Sequence, residues 1–205
     1  MKTYRPTRAV LADIQRGLTR VRLAPGSVEP LEQVVETLYR GRHYFWVGIY
    51  LVVGEKVVRS SFRGPEPPSH AVELGKGTVG TAAKTGVAMV IEDVSADSTG
   101  DALFSATGSQ AVQPIKLVTR VLGAIEVQTS GQQFRPEDRI LLKKVAVVLG
   151  RFLTGRGKYL VRREREFQES AEGAPSRAVR SAPQAEKNYS GPTGLRAVAG
   201  KQTAK

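Results

Sequence analysis

Apolar residues at three- and four-residue spacing open the chain. Val10, Leu11, Ile14, Leu18 and Val21 predict an amphipathic helix over roughly 7–22, ended by Pro25 and Gly26. Ser27 or Glu29 opens a second helix, with Pro30 in its first turn, Leu31, Val34, Val35 and Leu38 on one face, and Gly41 as its stop. The period then changes. Residues 44–53 read YFWVGIYLVV, dense in aromatic and β-branched side chains, and predict a strand. Gly54-Glu55 turns it into a hairpin partner from Lys56 to Phe62. A Gly/Pro loop at 64–68 precedes a short strand near 71–74, the Gly75-Lys76-Gly77 turn, a short helix over 78–84 stopped by Gly86, and a strand over 87–91. Residues 92–109 are polar and rich in Gly, Ser and Asp, the composition of an irregular loop. Strands follow over 110–117 and 121–129. Pro136-Glu137-Asp138 then opens one long helix carrying Ile140, Leu141, Val145, Val148, Leu149 and Phe152 and running to about Phe167, its first-turn acids matched to the helix dipole. Strands in antiparallel succession with helices grouped against them predict an α+β fold.

Length and composition add bounds. The chain has 205 residues, 40% hydrophobic and 24% charged, which suits one globular domain and a tail. No apolar run approaches the roughly 18 residues of a membrane span. Met1 to Ala12 is basic without the apolar run of a secretory leader, so a cytoplasmic location is expected. There is no cysteine, which excludes disulfides, thiolate nucleophiles and cysteine metal sites. His43 and His70 have no carboxylate at ligand spacing, and neither a metal nor a cofactor is predicted. The net charge of +12 belongs to the ends: residues 31–150 carry 13 basic and 12 acidic groups, whereas residues 151–205 carry 12 and 5. Residues 166–205 are expected to form a basic, disordered tail, solvated rather than a nucleic-acid-binding arm.

Several patterns carry little chemistry. Gly75-Lys76-Gly77-Thr78-Val79-Gly80 spells GxGxxG, but the following helix is short and no acid stands about twenty residues on, so a tight turn accounts for it better than a dinucleotide site. Ser61, Ser95, Ser105 and Ser109 have no histidine placed as a base. Asp93, Asp97 and Asp101 read as solubilising residues of a loop rather than a cation site.

FWVGIYLV (45–52), LGKGTVGTAAKTG (74–86), IEDV (91–94), SQAVQPI (109–115), VLGAIEVQT (121–129) and FRPED (134–138) come in an order and spacing that resembles a GAF domain, and within that family the free methionine-(R)-sulfoxide reductases. The resemblance covers about residues 28–155. It implies a PAS-like antiparallel sheet of five to six strands flanked by helices, with long terminal helices and a domain over 1–165. Trp46, Gly48 and Tyr50 match the Trp-x-Gly-x-Tyr of that branch, and period-two alternation sets them on one face with Val47, Ile49 and Leu51 on the other. Core packing and pocket lining stay equally open for Trp46 and Tyr50.

What the resemblance implies about chemistry then fails on the residues. The reductases need one thiolate to attack the sulfoxide and a second thiol to resolve the sulfenic acid. The matching positions are Val79, about Ser69 and about Phe104. The family's carboxylates in the later strands correspond to Gln110, Glu126 and Gln128, of which Glu126 alone is charged; it either binds a cationic or hydrogen-bonding ligand or sits at a solvated strand position. The expectation is a non-catalytic sensor with Trp46, Tyr50, Val79, Phe104, Gln110, Glu126 and Gln128 around a small-molecule ligand or a protein partner, and a homodimer through the terminal helices. The alternative is an interaction module with a closed pocket, using its basic tail on an acidic protein or nucleic acid.

Overall fold

The switch from helical to alternating periodicity is reproduced in the computed structural model, which describes residues 4–20, 29–94, 104, 106–131 and 133–173. Two helices, α1 (Thr7–Arg20) and α2 (Pro30–Gly41), precede the hairpin β1 (Trp46–Val53) and β2 (Lys56–Arg63). After β3 (Ala71–Glu73), α3 (Gly77–Thr85) and β4 (Met89–Ile91) come β5 (Ser109–Leu117), β6 (Arg120–Thr129), α4 (Pro136–Thr154) and α5 (Lys158–Gly173). The strands form one antiparallel sheet in the order β3-β2-β1-β6-β5-β4. Because β3 and β4 lie on opposite edges, α3 between them must cross the sheet, and it touches β2, β5 and β6 on the way.

The strand alternation separates two cores. Val47, Ile49 and Leu51 of β1 join Ile115 of β5 and Ile125 and Val127 of β6 in the larger one, which also takes in the apolar faces of α1, α2 and α4 and Leu160 of α5. Trp46 and Tyr50 point the other way, into a smaller core with Val57, Val112 and Ala124 beneath Val79, Ala82 and Ala83 of α3. Pro114 lies beyond the reach of β4, which pairs β5 only as far as Val112, while the β5–β6 register continues through Pro114 opposite Ala124.

The entrance to the sheet is fastened by a buried ion pair. Arg42, fully buried, donates Nε to Asp138 Oδ1 (2.9 Å) and Nη2 to Thr7 Oγ1 (3.0 Å), and its Nη1 reaches the carbonyls of Arg5 and Gly41. Tyr44 donates to the same Asp138 oxygen (3.1 Å), while Asp138 Oδ2 accepts the N–H of Arg135 and so caps α4. Every charge in the cluster has hydrogen-bond partners, the condition for burying it.

The structure corrects four expectations. The single long helix from Pro136 is two helices, separated at Gly155-Arg156-Gly157, where a side chain on Gly157 would strike the Phe152 ring. The helical region extends past 166 to Gly173, and the rest of the expected tail, 174–205, lies outside the described residues. Ile140, assigned to the buried face of α4, is 49% exposed, because the stripe that faces the sheet is Leu141, Leu142, Val145 and Leu149. Glu126 is not a solvated strand residue but fully buried, since β6 is an interior strand with α3 over that face. Asp97 and Asp101 also fall outside the described residues. Among the described residues no helix is long and apolar enough to cross a membrane, and no three His, Asp or Glu side chains converge as a metal site.

Candidate functional site

The sheet face beneath α3 gathers the polar residues that the sequence scatters. In the ladder Trp46 lies opposite Gln128, Gly48 opposite Glu126, and Gln110 opposite Gln128, so three strands bring Gln110, Glu126 and Gln128 to one patch beside Trp46 and Tyr50. Gly48 matters by what it lacks: a Cβ there would collide with the Trp46 ring, which lies over it.

Glu126 is the centre of the patch. Its Oε1 accepts hydrogen bonds from Gln110 Nε2 and Gln128 Nε2, both at 2.6 Å. Gln128 is fixed in turn by Thr107, whose hydroxyl donates to Gln128 Oε1 at 2.6 Å. Burial pushes the Tyr50 phenol well above the ordinary tyrosine value, and the charge of Glu126 and a hydrogen bond to it act in the same direction, against an opposing effect of Arg59. Amide and phenol donors thus replace the water a carboxylate loses on burial, a loss that otherwise costs several kcal/mol. Gln110 Oε1, on a side chain 2% exposed, accepts no hydrogen bond among the described residues.

A cavity of about 70 Å³ opens here, lined by Tyr50, Val72, Thr78, Val79, Gln110 and Glu126 with the backbone of Gly77. At about 30 Å³ per water it has room for roughly two. Trp46, Phe104 and Gln128 do not line it. Phe104 sits edge-on to Phe45 (5.6 Å) and 6.3 Å from Trp46, which also stacks on Phe62 at 6.3 Å, so an aromatic cluster fills the neighbouring part of the face. Val79 is a cavity wall and Ser69 an exposed loop residue whose hydroxyl donates to the Ala71 carbonyl. The GxGxxG glycines are structural: Gly75 and Gly77 have φ of +89° and +57°, and a side chain on Gly80 would meet the Glu73 carbonyl.

Arg59 was not anticipated. It is 7% exposed on β2, donates to Glu66 Oε1 (2.6 Å) and to the Ser69 carbonyl (3.1 Å), and lies 4.6 Å over the Phe62 ring. With Trp46 Nε1 bonded to the Pro65 carbonyl (3.1 Å), it ties the 64–70 loop to the site face. Strict alternation would separate Arg59 from Phe62. A bulge where Ile49 pairs Ser61 and Tyr50 pairs Arg59 restores them to one side. A lone cation amid Val57, Val58 and Phe62 was the available signal.

The model of the GAF domain family matches residues 28–153. Among solved structures, a free methionine-R-sulfoxide reductase from Neisseria meningitidis, in complex with its substrate, is similar at 24% identity and a TM-score of 0.64, over 77% of this chain and 91% of that one. The type II free methionine-R-sulfoxide reductase from Thermoplasma acidophilum gives 20% identity and 0.58, over 69% and 95%. The GAF domain from Acinetobacter phosphoenolpyruvate-protein phosphotransferase gives 18% and 0.61, over 72% and 92%. At these identities the likeness is one of fold. No curated protein matches the chain in sequence.

Proposed function

Because this chain belongs to the GAF domain family, we propose that it is a non-catalytic, cytoplasmic sensory module that binds a small hydrogen-bond donor, an amine in the first instance, beside Glu126. The observation that carries this reading is the fully buried Glu126 carboxylate at the wall of a cavity it shares with Gln110. A carboxylate and a carboxamide lining one small space suit N–H donors, and a cation would offset the buried negative charge. Val72 and Val79 add apolar lining, which suits a short alkyl substituent.

The non-catalytic part rests on chemistry. Sulfoxide reduction of the thiol type consumes two thiols per turnover, and this chain has none. No turnover of free methionine sulfoxide with a thiol donor is expected.

The test is thermal unfolding of the full chain with ammonium, methylamine and free amino acids, beside Glu126→Gln, which keeps the shape and removes the charge. The smaller amines should raise the melting temperature of the unmodified chain and not of the variant. Phe104→Ala should extend the response to amino acids by opening the aromatic end. No response from any amine, or the same response in Glu126→Gln, would sink the reading. The second reading, an interaction module with a closed pocket, would then take its place, favoured by the aromatic cluster around Trp46 and Phe104.

A further inference from the structure

The far side of the molecule has a different character. α1 and α4 pack side by side, with Thr7 Oγ1 near the Glu137 carbonyl at one end and Arg156 Nη1 on the Thr19 carbonyl (3.0 Å) at the other. Towards the C-terminal ends of both helices they leave a solvent-open groove of about 550 Å³, with Leu18, Val148 and Phe152 as its floor and Gln15, Arg151 and Arg156 at its rim. Beside it, Ile140, Lys143, Lys144, Val147 and Arg151 form the outward stripe of α4, all exposed. Ile140 and Val147 are large apolar residues left about half in solvent.

The stripe and rim carry cations without compensating acids. Lys143, Lys144, Arg151 and Arg156 have no ion pair among the described residues. Asp13 is engaged with Arg5 and Arg16, and Glu92 with Arg139, while Glu137 sits in the first turn of α4, at the end away from the groove.

We propose that the α1–α4 groove docks an acidic amphipathic helix of a partner protein. The apolar floor and the Ile140/Val147 ridge offer the burial that a helix with apolar residues at i, i+3, i+4 and i+7 needs. The cationic rim selects acidic flanks and speeds encounter. A second copy of this chain fits less well, because an isologous pairing through this surface would set each cationic stripe against its own symmetry mate. Nucleic acid would satisfy the cations but leave Val147 and Ile140 without use. The surface lies across the sheet from the Glu126 cavity, so it stands or falls separately from the ligand reading.

The experiment is fluorescence anisotropy of the full chain with a labelled peptide of about 18 residues, some five helical turns, built of leucine on one face and glutamate on its flanks. A scrambled peptide of the same composition and a duplex DNA serve as rival probes, and sedimentation reports self-association. The amphipathic peptide should bind at least about tenfold more tightly than the scrambled one, and Lys144→Glu with Arg151→Glu should weaken it by about tenfold or more. Val147→Asp, an exposed site that leaves folding intact, should weaken it comparably while leaving any DNA binding unchanged. Equal binding of both peptides, tighter binding of DNA, insensitivity to Val147→Asp, absence of peptide binding, or a dimer dissociated by the Lys144 and Arg151 reversals would each overturn the proposal.

Discussion

At the scale of single residues, two phenols report how the molecule buries polarity. Tyr44 is desolvated beside Asp138 and Tyr50 beside Glu126, and burial first, then the neighbouring carboxylate, raises both well above the usual value near 10. Arg42 and Arg59 oppose these shifts without cancelling them. The unfolded chain loses these protons near pH 10 while the native chain keeps them, so the native state binds more protons and stability must fall as pH rises above about 10. Below that value the contribution is fully present. Ultraviolet titration of the six tyrosines should therefore show the two phenols ionising only with unfolding, and urea melts should give a declining stability over the same interval. A single ionisation of all six near pH 10 with the fold intact would refute the assignment.

At the scale of elements, the turns show where geometry and residue choice agree and where they do not. Gly86 ends α3 with φ of +68° and returns its N–H to the Ala82 carbonyl at 2.9 Å, the arrangement that a glycine after a helix predicts. The β5–β6 turn is the exception. Val118 has φ of +54°, a conformation that crowds a β-branched side chain, and it is 87% exposed, so no packing repays the strain. Val118→Asn, which tolerates this conformation, should stabilise the chain by about 1 kcal/mol. The readout is a higher urea midpoint at unchanged slope, and an unchanged or lower midpoint would mean the turn is not strained. The break between α4 and α5 is of another kind. Apolar spacing continues through Leu153, Leu160 and Val161, and periodicity alone could not distinguish one helix from two; the paired glycines at 155 and 157 held the information.

At the scale of the whole molecule, α5 belongs to the fold. Leu160 is fully buried in the larger core, Glu164 accepts a hydrogen bond from Ser60 of β2, and Arg163 pairs with Glu29 ahead of α2. The contacts divide the chain after Gly173. A chain ending at Gly173 should therefore melt with the full chain. One ending at Gly155 should lose about 3–5 kcal/mol, the scale of a large core truncation. Equal melting of all three would show that α5 adds nothing to the fold.

Much of this was present in the one-dimensional pattern. The strand alternation in FWVGIYLV determined which side chains enter which core, because a strand has only two faces. The order of periods determined an α+β sheet, and the composition determined that these 205 residues carry no thiol. Those properties are local or compositional. The depth of Glu126 was not, because burial depends on which strand becomes interior and what crosses above it. Nor was its cage: Gln110 meets Glu126 only through the β5–β6 register, and Thr107 reaches Gln128 across a separation of 21 residues in sequence. Phe62 needed the bulge in β2 to join Arg59 on the site face. The cavity, finally, is walled by Tyr50, Val72, Val79, Gln110 and Glu126, side chains from distant parts of the chain whose meeting is a matter of packing that no local pattern encodes.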